Sequence, residues 1–455
     1  MSNPINAASR RAPDSQERER IVIIGGGFAG FYCALAAERH NGGRLHVTLV
    51  SELNHLVYTP FLPEAAAGTL EPRHVVVPMR GTLGPTRFVL GAAVSHDPVA
   101  GTISVRQPTG NLKVVEYDRL LITPGSITRV FPIPGLREHA VGCKTLAEAV
   151  HLRNQVLRQL ELADASISPH ERRRHLNFVF VGGGYAGVEA LAEMEDLVRA
   201  AMRLYPSLRD ERARFVLVEA TGRIFPEVGE GLSDYSMAQL RERGIELRMN
   251  TQLVDATGGR ALLSDGEEIP TDTLVWTAGV RPHPCLEALG MPLNERGQVL
   301  VDEFMRVGGY PRIFAAGDCA AVPDPARPGM SCPPTAQHAI RQGRLAGRNF
   351  ARVAAGEEPK PFNYKTRGVF VNLGRYKGVA RFGQRGVKGL LAWVATRLYH
   401  LSQIPGTGRK ARVLADWSLD LLCRRDTAEL GTLGRPEPLE RRVGPRRGPE
   451  ARREP

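Results

Sequence analysis

The chain has 455 residues, 42% hydrophobic and 24% charged, a balance that fits about two to four packed domains and excludes wholesale disorder. Its formal net charge of +12 calls for an anionic partner such as a lipid surface, a nucleic acid or anionic cofactors, and from Arg381 to Pro455 there are 16 Lys plus Arg against 8 Asp plus Glu. Six scattered cysteines without a C-x-x-C, and no run of 18 apolar residues, argue against a disulfide framework, a zinc site and a membrane-spanning helix.

In chain order, residues 1–19 read as a polar, disordered leader with no apolar region of the signal-peptide type. Residues 21–50 then read as strand, glycine turn, helix and strand (IVII, GGGFAG, FYCALAAERH, LHVTLV). Short β-like stretches follow (RFVLGAAVSHD, TISV, DRLLIT), and residues 177–219 repeat the opening pattern as NFVFV, GGGYAG, a long helix and RFVLVE. Each is a βαβ unit, in which a crossover helix joins two parallel strands. A hairpin-like LVDATGGRALLSDGEEIP precedes TLVWTAGV, then the strand IFAAGDCAAV and a helix beginning near Pro334. From Pro361 the pieces are shorter, with one amphipathic stretch, and the last twenty or so residues read as a solvated basic tail.

The two glycine turns carry the chemistry. Gly25, Gly27 and Gly30 satisfy G-x-G-x-x-G between strand and helix, as do Gly182, Gly184 and Gly187. In that motif the first glycine permits the tight turn, the second admits a pyrophosphate to the backbone, and the third lets helix pack on strand. An acid further on should hold the adenosine ribose. Glu52 is assigned that role in the first copy, 22 residues past Gly30, although Ser51 holds the usual strand-end place. Glu219, 32 residues past Gly187, ends the strand RFVLVE and suits the free 2′-hydroxyl of NADH over the 2′-phosphate of NADPH. Asp318, after Gly317, can aim a carboxylate at the ribityl chain of a flavin, and the helix that follows would set its N-terminus under the flavin pyrimidine.

With YTPFLPEAAAGTLEPRHVVVPMR, GGGYAGVE, VWTAGV, IFAAGDCA, PPTAQHAIRQG and AWVATRLYHLSQIPGTGRKARVLADW, the chain resembles the two-dinucleotide flavoprotein reductases, and among them the type II NADH dehydrogenases, from about Ile21 to about Leu430. The resemblance implies an α/β fold of two Rossmann-like domains. FAD would lie in residues 20–144 and 286–360, NADH in an inserted domain of residues 145–285, with a membrane and dimer region in residues 361–430 and a tail in residues 431–455. It adds Val94, Gly279 and Gln337 as cofactor-binding positions, and implies that Glu189, near nicotinamide and flavin, couples the half-reactions. Gln337 matches the first glutamine of the family's A-Q-x-A-x-Q quinone motif, but AQHAIRQ puts Arg341 where the second belongs and Gln342 one place later. Gln337 and Arg341 share a helix face, while Gln342 points roughly 140° away. Glu189, Gln337 and Arg341 are therefore the catalytic candidates.

The implied activity is non-pumping NADH:quinone oxidoreduction at the cytoplasmic face of the cell membrane, with menaquinone or ubiquinone as acceptor. Leu390, Val394, Leu398 and Leu401 form one stripe with Leu391 and Trp393 beside it, and Leu414, Trp417 and Leu421 a second, both with basic flanks suited to an anionic lipid surface. The histidines show no metal-ligand spacing, and no nucleic-acid partner is expected, because the basic tail lacks interleaved aromatics. Two other readings stay open: an NADH-oxidising flavoprotein whose acceptor is an iron–sulfur protein, a thiol or oxygen, and a redox-responsive binding protein resembling the apoptosis-inducing flavoproteins.

Overall fold

A computed structural model describes residues 18–366, 368–383 and 385–431. The expected leader, up to residue 17, and the expected basic tail, from residue 432, lie outside the described residues.

Two five-stranded parallel sheets are built on one plan. The first runs Ile313–Ala315, Arg119–Ile122, Glu19–Ile24, Leu45–Ser51, Arg87–Leu90. The second runs Ala140–Val141, Thr273–Trp276, Asn177–Val181, Arg214–Glu219, Glu246–Met249. Their central strands are nearly continuous Val, Ile, Leu and Phe, the composition of strands buried on both faces. Each sheet is followed by an antiparallel three-stranded meander, Ala92–Asp97 to Leu112–Glu116 in the first unit and Leu253–Asp255 to Glu268–Pro270 in the second.

The chain crosses between units twice, and the crossing segments Ser126–Thr128 and Val280–Pro282 pair antiparallel. Because Ala140–Val141 pairs with Thr273–Trp276, the second unit's sheet already begins at residue 140, ahead of the expected 144/145 boundary. The first strand likewise starts at Glu19, one residue inside the expected leader.

Helix Ala336–Ala354 closes the first unit against helix Phe28–His40. A side chain at Gly343 would overlap the Ala29 carbonyl, and one at Gly347 the Cys33 carbonyl, so two glycines one turn apart set this close approach. Beyond it, Gly368–Asn372, Gly378–Phe382 and Arg385–Lys388 form a small antiparallel sheet, and helices Leu390–Gln403 and Thr407–Leu422 pack over it and the body. Trp393, expected beside one lipid-facing stripe, and Trp417, expected within the other, turn inward and are each 6% exposed. The outward faces are leucines instead, with Leu391, Leu398 and Leu422 at 73%, 59% and 84% exposure. No helix among the described residues is long and apolar enough to cross a membrane.

Candidate active site

The two glycine turns open onto one continuous cleft of about 2990 Å³ between the units. Its wall includes Gly25, Gly27, Glu52, Val94, Asp318 and Gln337 from one side, and Gly182, Gly184, Gly187, Glu189, Glu219 and Gly279 from the other. Gly30 lies behind the wall; a side chain there would overlap the Gly25 carbonyl, as one at Gly187 would overlap that of Gly182. Arg341 also lies off the wall.

Both turns are built alike. Gly25 and Gly182 have φ of +98° and +115°, a region that disfavours side chains. The Thr123 hydroxyl donates to the Ile24 carbonyl at 2.7 Å, and the Thr277 hydroxyl to the Val181 carbonyl at 2.9 Å, tying each turn to its neighbouring strand. Gly27 and Gly184 cap their helices with no side-chain hydrogen bond, and nothing lies within 4 Å of where their Cβ atoms would be. Each turn is thus a cradle with free helix N–H groups aimed at an anion, which fits one dinucleotide pyrophosphate per unit.

The strand ends differ. Register pairs Ile24 with Val50 and Val181 with Val218, so the position of Glu219 is held by Ser51 in the first unit. Glu219 accepts from the Gly183 N–H at 2.6 Å and the Thr221 N–H at 2.8 Å, which fixes its carboxylate at the cleft edge. Glu52 is exposed, one residue past its strand. On the far side, Asp318 accepts from the Ser126 hydroxyl at 2.6 Å, and Ser126 accepts from the Lys144 ammonium at 3.0 Å. Burial lowers the pKa of Lys144. Sequence reading missed Lys144, whose only local signal is that it directly precedes the capping residue Thr145.

Helix Ala336–Ala354 starts at Thr335, whose hydroxyl caps the His338 N–H, and this N-terminus opens into the cleft. Gln342, pointing away from Gln337 as expected, is 2% exposed and accepts the Gly317 N–H at 2.7 Å, so it shapes the turn that presents Asp318. The Gln337 amide donates to the Gly368 carbonyl at 3.1 Å and accepts from the Tyr364 hydroxyl at 2.9 Å. Arg341 stacks 4.1 Å over the Tyr364 ring and donates to the Gln337 carbonyl at 3.0 Å. It braces the glutamine from behind instead of facing the cleft. His338 lies on the wall but is buried, with Nδ1 2.8 Å from Thr335 Oγ1.

Glu189 meets the cleft along part of its surface, while its carboxyl sits deep in the junction and accepts the Asn372 N–H at 2.8 Å. That enclosure pushes its pKa up to about 8; the Asn372 bond opposes the rise, and Glu64 and Glu193 add to it. From here the cleft reaches Phe370 and His400. His400 Nδ1 is 3.1 Å from the Tyr58 hydroxyl, and burial holds the imidazole neutral by lowering its pKa to about 4. Tyr399 stacks on Phe370 at 4.3 Å, so helix Leu390–Gln403 meets the cleft through aromatic side chains. His400 and Tyr58 were missed because they lie 342 residues apart and only the fold joins them.

Five of the six thiols are poorly placed for redox chemistry. Burial pushes Cys143 and Cys319 up to about 12 and Cys285 and Cys332 up to about 11, and raises Cys33 as well, so none is a ready thiolate. Among the described residues all six are unpaired, and no His, Cys, Asp and Glu cluster suits a metal ion.

Comparison with known proteins gives the same architecture. The type II NADH:quinone oxidoreductase Ndh of Mycobacterium tuberculosis is 28% identical over 422 residues, 90% of this chain and 89% of its own. The internal alternative NAD(P)H-ubiquinone oxidoreductase A1 of Solanum tuberosum mitochondria is 29% identical over 454 residues, 92% of this chain and 90% of its own. NDH2 of Plasmodium falciparum, solved in complex with NADH, has the same fold at a TM-score of 0.84 and 19% identity, covering 90% of this chain and 100% of its own. The pattern of the pyridine nucleotide-disulphide oxidoreductase family matches residues 19–343, and the chain belongs to that family.

Proposed function

We propose that this protein is an FAD-dependent NADH:quinone oxidoreductase that works at a membrane surface without spanning it. The observation that carries the reading is the single cleft, which joins two pyrophosphate cradles and ends at Phe370 and at His400, on a helix whose outer face exposes leucines. Relatives whose names specify quinone or ubiquinone acceptors support it along nearly the whole chain.

Bound FAD supplies a ring that accepts a hydride from a nicotinamide and gives two electrons to an acceptor. Gly25 and Gly27 with the first helix N-terminus would hold its pyrophosphate, Asp318 would accept from the ribityl hydroxyls, and the helix N-terminus at Thr335 would stabilise negative charge on its pyrimidine. Gly182 and Gly184 hold the pyrophosphate of NADH. Glu219 accepts from its ribose 2′-hydroxyl and repels a 2′-phosphate. Glu189, protonated near neutral pH, would hold a proton at the cleft wall for the reaction. Gln337, braced by Tyr364 and Arg341, fixes the floor on which a quinone rests, and Phe370 and His400 line its way in.

The exposed leucines, flanked by Arg409, Lys410, Arg412 and Arg424, fit an anionic bilayer surface. Rapid mixing tests the catalytic reading. NADH should bleach the flavin, and a short-chain quinone should restore its colour within the turnover time. A flavin bleached by NADH that stays bleached in quinone would refute the acceptor while leaving the NADH site standing.

A further inference from the structure

Quinol formation takes two electrons and one hydrogen from NADH, so the second O–H hydrogen must come from water: NADH + H⁺ + quinone gives NAD⁺ + quinol. Glu189 is partly exposed on the cleft wall, and the structure holds a line of acids leading away from its carboxyl into the interior.

Helix Tyr185–Met202 carries Glu189, Glu193 and Asp196 at i, i+4 and i+7, so the three share one face. Asn372 links the first two: its N–H donates to Glu189 at 2.8 Å and its side-chain amide donates to Glu193 at 2.9 Å. Glu193 is 1% exposed, and its second carboxylate oxygen is buried without a hydrogen-bond partner. Asp196, 16% exposed, is the solvent end; it accepts the Arg375 N–H at 2.7 Å and lies 3.0 Å from Arg243. Glu195 on the same helix pairs with Arg199 and Arg243, as Asp196 does at 3.8 Å and 3.0 Å, but at i+6 from Glu189 it lies off the face that Glu189, Glu193 and Asp196 share.

The charges around Glu193 do not balance. Glu64 from helix Leu62–Ala66 faces Arg397 of helix Leu390–Gln403 at 3.6 Å, and Glu193 faces Arg425 at 3.6 Å. Asp420 shares Arg425 at 3.4 Å, and Trp417 donates to Glu64 at 2.5 Å. Glu64, Glu193 and Asp420 thus share two guanidinium groups with Glu189 close by, and in this buried junction Glu189 and Glu193 retain protons. Burial raises Glu193 as it does Glu189.

We propose that Glu193 and Asp196 form a proton relay that refills Glu189 from solvent while quinone is being reduced. The inference rests on the quinone reading above. It makes Glu193 a positioning and relay residue, not one that touches substrate.

The test is Glu193→Gln in the flavin-loaded enzyme, since Gln keeps the Asn372 bond. Turnover with a soluble quinone, which consumes a proton, is compared with turnover with ferricyanide, which does not. Quinone turnover should fall about tenfold or more. The deficit should deepen as pH rises, carry a larger solvent deuterium effect and be relieved by added formate, while the ratio returns toward normal in Glu193→Asp. In the flavin-free protein, the infrared band of protonated carboxyl should titrate at lower pH in Glu193→Gln, because a negative neighbour of Glu189 is gone. Should that variant fold poorly, Asp196→Asn at the solvent end should shift the same ratio by a smaller factor. An unchanged quinone-to-ferricyanide ratio at every pH, with an unmoved carboxyl titration, would overturn the relay alone. A wild-type enzyme fast with ferricyanide and inert to quinones would overturn the quinone reading and the relay together.

Discussion

The two dinucleotide units share a plan down to single atoms, and their differences separate a resident cofactor from an exchanging substrate. Both have a positive-φ glycine, a threonine hydroxyl tying the turn, and a packing glycine that admits no side chain. Only the first is closed by another helix, Ala336–Ala354, and by the Gly317–Asp318 turn that Gln342 holds. Only the second ends its strand in a carboxylate fixed by backbone donors. Enclosure by several elements suits a group that stays; one oriented acid at an open edge suits a group that comes and goes.

Substitution of the paired glycines breaks this comparison most strongly. Gly25→Ala places a methyl against the Thr123 carbonyl at a φ of +98°, and the protein should purify without flavin and lose about 1–3 kcal/mol of stability. Gly182→Ala should purify yellow, yet bind NADH about a hundredfold more weakly, as read from the NADH dependence of flavin bleaching. If both variants lose flavin equally, the units have not divided their roles. Next comes Glu219→Ala, which removes a charged acceptor: KM for NADH should rise about ten- to thirtyfold while that for NADPH falls or holds. Unchanged discrimination would take the ribose role from Glu219.

Glu189 sharpens the comparison through pH. Its pKa rises from 4.5 to about 8 on folding, so its contribution to stability is full below about pH 4.5 and is lost as pH climbs through about 8. The melting temperature of the wild type should therefore fall relative to that of Glu189→Gln across this window. Parallel melting curves would mean that the carboxyl is ionised in the folded state. The smallest catalytic effect belongs to the leucine faces. Leu391→Glu with Leu398→Glu should abolish sedimentation with anionic vesicles while leaving soluble-quinone turnover within about twofold. Vesicle binding that survives would move the membrane contact elsewhere.

Much of this division is legible in the chain because it is local. Strand, glycine turn and helix sit within about thirty residues, and Glu219 and Asp318 each end or follow a strand visible from its apolar run. Helical geometry alone sets Gln342 apart from Gln337, and it indeed points elsewhere, to Gly317. The rest depends on residues brought together from afar. Arg341 reads in the sequence as a substitute ligand because spacing gives a helix face, not what covers that face; Tyr364 covers it. Trp393 and Trp417 read as interfacial anchors, but Arg397 lies between them, 3.9 Å and 5.0 Å from their rings, and draws both inward toward Glu64. The acid line behind Glu189 is regular in sequence, yet only Asn372, 183 residues away from Glu189, marks it as more than a helix face.

The most direct test of the central claim is anaerobic NADH oxidation by the flavin-loaded protein with a soluble menaquinone or ubiquinone analogue, with NADPH and ferricyanide in parallel. The account predicts quinone-dependent turnover far above the acceptor-free rate, with NADPH a poor donor. Rapid ferricyanide reduction with every quinone inert would contradict it.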